Sequence, residues 1–290
     1  MVRTLISKIY YRGKELLRGF ILFDEERIID HGTEPEPEYE LSELVINHEY
    51  KAYVVHGFSI ALDPLKYPFR GFNEEIDLSI YSVDELKQIG LAAFYELYMN
   101  GVTLPIVYGE HAEIVNNIAR EHNLSLAIID EDKTLPRYKG VIYLDRRDDK
   151  LYLDERELGV YDELICSISR ITRNCLAIDV KEFFTLNVSF IASKIYEVTG
   201  SLTKTIELLV KPYIMLDLDN GYIDKEAKPD ILVYSFRDSR KLVPYNKIEY
   251  VVLRGYPPDQ VFVNGDMFFD KGEPLVLLPV ELNTLLLSGE

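Results

Sequence analysis

Apolar and polar residues alternate in three short stretches at the start of the chain. Val2–Lys8 sets basic and hydroxyl residues between apolar ones, Leu17–Phe23 lies within LLRGFILFD, and Arg27–Asp30 follows, a pattern that predicts an antiparallel meander. HGTEPEPEYE from His31 reads as an exposed turn, because prolines and glutamates do not hold a buried strand. Glu43–His48 fits either a short helix or an edge segment. Lys51–Gly57 is the first strongly apolar strand, and it enters the stretch YVVHGFSIALDPLKYPFRG.

From Ser82 the period changes. SVDELKQIGLAAFYELYMNG places Leu86, Ile89, Ala93, Leu97 and Met99 at helical intervals, with Ser82 and Glu85 as a capping box and Gly101 as the stop. Val102–Tyr108 predicts a strand, His111–His122 a helix with Ile114, Val115, Ile118 and Ala119 on one side, and Leu124–Asp130 another strand. This βαβ rhythm predicts a parallel sheet or barrel core over Lys51–Asp130. VIYLDRRDDKLYLDERELG predicts a hairpin, Glu163–Ser167 and Cys175–Asp179 two strands, and Ser189–Glu197 and Thr203–Val210 two helices with Pro212 near the end. DILVYSF, Tyr250–Leu253, Gln260–Val263 and Leu275–Pro279 return to strands, with Asn264-Gly265 as a turn. Strands at both ends predict a sheet domain built from both termini.

Composition narrows the classes. With 290 residues and 47% hydrophobic content the chain builds a large core. Acidic residues outnumber basic ones 49 to 32, a net charge of -17, which argues against nucleic acid or an anionic membrane as partner. No apolar run is long enough to span a bilayer and no leader pattern is read, so the expected location is cytoplasmic. Two glutamines beside abundant charge fit a heat-adapted, thermophilic protein. Cys166 and Cys175 match neither a redox CxxC nor a zinc knuckle, and are read as reduced core thiols. There is no glycine-rich phosphate loop and no nucleophile elbow around Ser59.

Several stretches together resemble the amidohydrolase superfamily, of dihydroorotase and imidazolonepropionase type. YVVHGFSIALD resembles its first barrel strand, LAAFYELYMNGVTLPIVYG its first helix and second strand, IELLVKPYIMLDLDNGYIDKEAKPDILVYSF the return into the sandwich, and VFVNGDMFFDKGE the closing hairpin. NCLAID resembles the last barrel strand, which in the family ends in a metal-binding aspartate, here Asp179. The resemblance implies an α/β fold: a partial or distorted TIM-like (β/α) barrel over 51–224, with a small β-sandwich from 1–50 and 225–290. It also implies zinc or another divalent metal as cofactor.

The metal-binding residues do not carry over. The alignment sets Ile60 in place of the family's aspartate and Leu62 and Pro64 in place of its two histidines, and apolar side chains do not ligate. Too few residues lie between Asp130 and Cys175 for a full barrel. No metal site and no cofactor are therefore assigned. The catalytic candidates are Asp179, Asp63 and His111, and the ligand-binding candidates are His56, Arg70 and Glu110. Asp63 and Arg70 flank a proline-rich loop and offer a carboxylate and a planar donor fork, or else a salt bridge holding that loop. Glu110 and His111 form an acid and base pair or simply open a helix. Asp179 acts as a base or caps the next turn. The functional expectation is a degenerate, non-hydrolytic relative that binds a small molecule or a partner, with a hydrolase acting on a cyclic amide or other C–N bond, through a remodelled single-metal or metal-free site, as the alternative. The aromatic content admits a homodimer.

Overall fold

The alternating stretches at the start of the chain form strands in the computed structural model, which describes residues 1–11, 14–33, 42–69, 77–131, 133–236, 247–271 and 273–275. They are β1 (Arg3–Tyr11), β2 (Lys14–Phe23) and β3 (Ile28–Gly32). β4 (Leu44–Asn47) resolves the Glu43–His48 ambiguity in favour of a strand, and β5 (Ala52–His56) is buried throughout. β6 (Ala61–Leu62) leads to α1 (Val83–Met99), opened by the expected capping box: the Ser82 N–H donates to Glu85 Oε2 at 2.7 Å and the Glu85 N–H to Ser82 Oγ at 3.3 Å. β7 (Ile106–Val107), α2 (Ala112–His122) and β8 (Leu126–Asp130) follow. The strand expected over Val102–Tyr108 pairs only at its end, apart from one bridge between Phe58 and Val102.

The expected hairpin is β9 (Val141–Arg147) with β10 (Lys150–Leu153), extended by a third strand, β11 (Arg156–Val160). α3 (Tyr161–Leu164), β12 (Ile165–Cys166) and β13 (Ala177–Ile178) are short. Two longer helices come next, α4 (Val188–Thr199) and α5 (Leu202–Met215), with Pro212 inside the latter. Then come β14 (Ile231–Ser235), α6 (Ile248–Val252), β15 (Gln260–Val263), β16 (Asp266–Asp270) and β17 (Glu273–Pro274).

The described residues fall into two units. The first takes in those of Met1–Phe58, Tyr98–Thr103 and Asn187–Val276. Its nine strands form one mixed sheet in the order β17-β16-β15-β14-β5-β1-β2-β3, with β4 beside β1. Both ends of the chain thus supply this sheet. Leu5, Ile9, Ile21, Phe23, Val54, Ile231, Val233 and Phe262 make its core. β5, expected as a barrel strand, runs parallel to β1 and antiparallel to β14 in the middle of this sheet. Asn264 and Gly265 both have positive φ, 49° and 76°, which gives the β15–β16 hairpin a primed turn.

The second unit contains Ser59–Leu97 and Leu104–Leu186. β6, β7, β8 and β9 are parallel neighbours, and β12 and β13 pair in parallel. A parallel bridge from Ala61 to Asp179 joins the two sets. Among the described residues, six parallel strands in the order β12-β13-β6-β7-β8-β9 stand where a full TIM barrel has eight, and β10 and β11 continue the sheet antiparallel. The architecture is a partial, distorted barrel with an accessory sheet. Between β8 and β9 the chain crosses without a helix, and Asp130 and Asp145, both buried, are neutralised there by Arg137, Lys133 and Arg147.

Two expectations are corrected. The stretch expected as a strand over Tyr250–Leu253 is not one: its first three residues belong to α6, where Ile248, Val251 and Val252 are all buried. Their i, i+3, i+4 spacing is the helical stripe that the short apolar run concealed. Cys166 and Cys175 are not thiols but a disulfide, with Cα atoms 5.7 Å apart. Cys166 ends β12, where it is in register with Ile178, and Cys175 lies two residues before β13. Arg70, the acidic run from residue 34 to 41 and the strand expected beyond Leu275 lie outside the described residues. Among the described residues no helix is long and apolar enough to cross a membrane.

Candidate functional site

In a TIM-type barrel the residues just beyond the carboxyl ends of the parallel strands form the site. Asp63 follows β6, Tyr108 to His111 follow β7, and Asp179 follows β13. The strand that feeds this end is closed to metal chemistry: Ile60 and Leu62 are fully buried apolar side chains. Asp179 Oδ1 accepts the Tyr108 hydroxyl at 2.7 Å and the Lys181 backbone N–H at 2.9 Å, and the Lys181 ammonium lies 3.8 Å from Oδ2. The bond from the Lys181 N–H is the turn cap, one of the two readings of Asp179. Burial drives the Tyr108 phenol well above the ordinary tyrosine range, and the carboxylates of Asp179 and Asp63 act in the same direction. That shared field brings Asp63, Tyr108 and Asp179 into one cluster.

Asp63 Oδ1 accepts the Leu65 N–H at 3.0 Å and the Lys66 N–H at 3.4 Å. Burial nevertheless raises its carboxyl above the usual range, because it outweighs these bonds and the charge of Lys66, while Glu110 adds to the rise. Gly109, at φ +134°, faces it so closely that an added Cβ would stand 2.6 Å from Asp63 Oδ2. Tyr161 joins the cluster through its charge coupling to Tyr108 and Asp179. Burial carries its phenol up to about 12, against the pull of Arg146, whose guanidinium stacks 4.2 Å from the ring centroid. Glu110 and His111 do not face each other. Glu110 meets Lys66 at 3.9 Å, and His111 Nδ1 meets Glu113 at 3.6 Å from the N-cap of α2, without a side-chain capping bond.

His56 lies in the other unit, within a buried polar network. Its Nδ1 is 2.9 Å from the Gly57 carbonyl oxygen and its Nε2 is 3.1 Å from Asp219 Oδ2. Both partners only accept, so both ring nitrogens donate and the imidazole is protonated. Burial opposes that charge, but the Asp219 carboxylate outweighs it and the pKa is raised. Asp219 moves the other way: burial raises it, and His56 together with the N–H groups of Gly221 and Lys228 brings it below the usual carboxylate range. The Tyr213 ring packs edge-on at 4.5 Å, and its hydroxyl donates to Asp230 Oδ2 at 2.7 Å.

Among the described residues no group of three or more His, Cys, Asp and Glu is arranged to hold a metal ion. Asp63 and Asp179 are both engaged by the chain itself.

No protein-family model matches the sequence, and no curated protein matches it. Solved structures do. A triazine hydrolase variant superposes with a TM-score of 0.74 over 100% of both chains at 8% identity. Guanine deaminase from E. coli gives 0.67 over 93% of this chain and 99% of its own at 10% identity. An adenosine deaminase from Xanthomonas campestris, with bound zinc, gives 0.71 over 98% and 96% at 9% identity. The chain has the amidohydrolase fold. At these identities the likeness concerns the fold alone. Tyr108, Tyr161 and Arg146 are the members of this cluster that sequence reasoning missed. Tyr108 closes a predicted strand just before a glycine, a position that marks a barrel-mouth residue. Tyr161 and Arg146 carry no comparable signal.

Proposed function

We propose that the barrel mouth is a small-molecule binding site without a hydrolytic metal centre, lined by Asp63, Tyr108, Tyr161 and Asp179, with Glu110 and His111 at its margin. The observation that carries this reading is the Tyr108–Asp179 hydrogen bond. It gives to a phenol the strand-end carboxylate that a metal-dependent hydrolase needs for its ion. Two tyrosines beside two carboxylates suit a ligand with a flat face and N–H donors. The alternative, hydrolysis of a C–N bond without metal, draws support from the raised pKa of Asp63, which favours a protonated carboxyl as acid.

The test is metal content per chain after dialysis, on protein made with zinc, manganese and iron supplied, followed by a turnover assay on cyclic amides and aminated heterocycles. We expect far less than one metal per chain and no turnover. Stoichiometric metal sinks the reading, and turnover by the metal-poor protein selects the alternative. The same reading includes a cytoplasmic homodimer from a heat-adapted source, a setting in which an intracellular disulfide is compatible. Light scattering checks the homodimer.

A further inference from the structure

The Cys166–Cys175 disulfide closes a loop next to the strand end that carries Asp179. Ser169, Arg170, Thr172, Arg173 and Asn174 of that loop are exposed, and its one regular element is the 3-10 turn Ile168–Arg170, while the two cysteines are buried. Among the described residues β12 pairs with β13 alone, through Ile165 with Ala177 and Cys166 with Ile178. The Asp179 N–H donates to the Cys166 carbonyl oxygen at 2.8 Å, and on the other side the Val180 N–H donates to that of Ala61 at 3.1 Å. One flank of Asp179 is thus fixed to β6 and the other to a residue of the disulfide. Both sulfurs have a polar neighbour suited to their reduced form. Cys175 Sγ accepts the Thr172 N–H at 3.1 Å, with Thr172 Oγ1 3.6 Å away, and such donors favour a thiolate. Cys166 Sγ lies 3.0 Å from the Glu163 carbonyl oxygen. No hydrogen stands between those two atoms while the disulfide is closed, and a thiol would supply one.

We propose that this disulfide is a reversible redox latch: closed, it holds Asp179 against Tyr108, and opened by a dithiol reductant it releases that contact. The latch acts on the Tyr108–Asp179 hydrogen bond itself, whatever the barrel mouth binds. A thiolate of the dithiol attacks Cys166 Sγ, the bond between the two cysteine sulfurs breaks, and its electron pair leaves on Cys175 Sγ, where the Thr172 N–H meets the new thiolate before it takes up a proton. The second thiol of the reductant then attacks the first sulfur of the reductant, closing a cyclic disulfide, and Cys166 leaves and is protonated, its thiol placed to donate to the Glu163 carbonyl oxygen. Two electrons and two protons pass from the dithiol to the protein. What then remains between β12 and β13 is a ladder of two residue pairs, too short to hold on its own the backbone bond from Asp179.

The full-length protein is incubated without denaturant in excess dithiothreitol, its thiols are counted by alkylation and mass spectrometry, and amide exchange is followed before reduction, after it, and after reoxidation with oxidised glutathione. Both cysteines should be alkylated, Asp179 and Val180 should exchange severalfold faster, Ile89 in α1 should be unchanged, and reoxidation should restore the first rates. Tyr108→Phe should lower the melting temperature of the oxidised protein by about 2–4 °C and leave that of the reduced protein unchanged, because the contact it removes is made only with the latch closed. A disulfide that opens only in guanidinium overturns the proposal, as does exchange at Asp179 that stays slow after reduction or fails to slow again on reoxidation. Exchange that rises equally at Ile89 overturns it too, since the whole chain has then loosened. A Tyr108→Phe cost that is the same in both states does likewise.

Discussion

A histidine held between two acceptors, His56 couples its titration to the stability of the fold. Its pKa is raised in the folded chain, so its contribution is complete below the ordinary histidine value of about 6.5 and is lost as pH climbs through the folded value. Asp219 is depressed, so its contribution is complete above about 3.9 and is lost as pH falls through its folded value. Melting temperature should therefore be highest in the mildly acidic range between these two limits and decline on the alkaline side. A flat profile from pH 5 to 9 would refute the assignment. Asp219→Asn should cost about 3–5 kcal/mol in urea unfolding, because it leaves a buried imidazolium unpaired, and should flatten the alkaline decline. Next to it, Gly57→Ala would set a Cβ 2.0 Å from Thr103 Oγ1 and 2.9 Å from Asp230 Cβ. Overpacking of this kind costs about 1–3 kcal/mol, measurable in the same urea experiment. His56 was legible as a polar residue in an apolar strand. Its partner was not, because Asp219 lies 163 positions away and only the fold brings them together.

At the scale of elements, local signals were read correctly where they were local. The Ser82–Glu85 box opens α1, and Ser82→Ala should destabilise the protein by about 1 kcal/mol in thermal or urea unfolding. The hydrophobic stripe of α2 is buried as its spacing requires. Signals failed where pairing across the chain decides the outcome. β12 and β13 hold two residues each, and no periodicity can announce a strand that short. What stabilises that pair is the Cys166–Cys175 bond together with the Asp179 N–H donating to the Cys166 carbonyl at 2.8 Å. Replacing both cysteines by serine should lower stability by about 2–3 kcal/mol for a closed loop of this length. It should also speed amide exchange at Asp179 and Val180. Exchange unchanged there would show that the pairing holds without the staple.

For the molecule as a whole, the α/β class and the supply of one sheet by both ends of the chain were visible in the order of strand-like and helix-like stretches. The apolar residues Ile60, Leu62 and Pro64 around the first barrel-like strand were also visible there. The helix-free crossing between β8 and β9 showed only as a shortage of residues, since the neutralisation of Asp130 and Asp145 by three cations depends on tertiary contacts. The net charge of -17 opposes association beyond the proposed homodimer, so light scattering should rise further as acid removes that repulsion, and added salt should bring the onset to higher pH. The place of β5 has a consequence in time. Its two neighbours are β1 and β14, one made before it and the other some 175 positions later, so the centre of the large sheet stays open on one side until Ser235 has been synthesised. A nascent chain stalled after Leu186 would display the β5 edge to chaperones, and a chain released past Val263 would hide it.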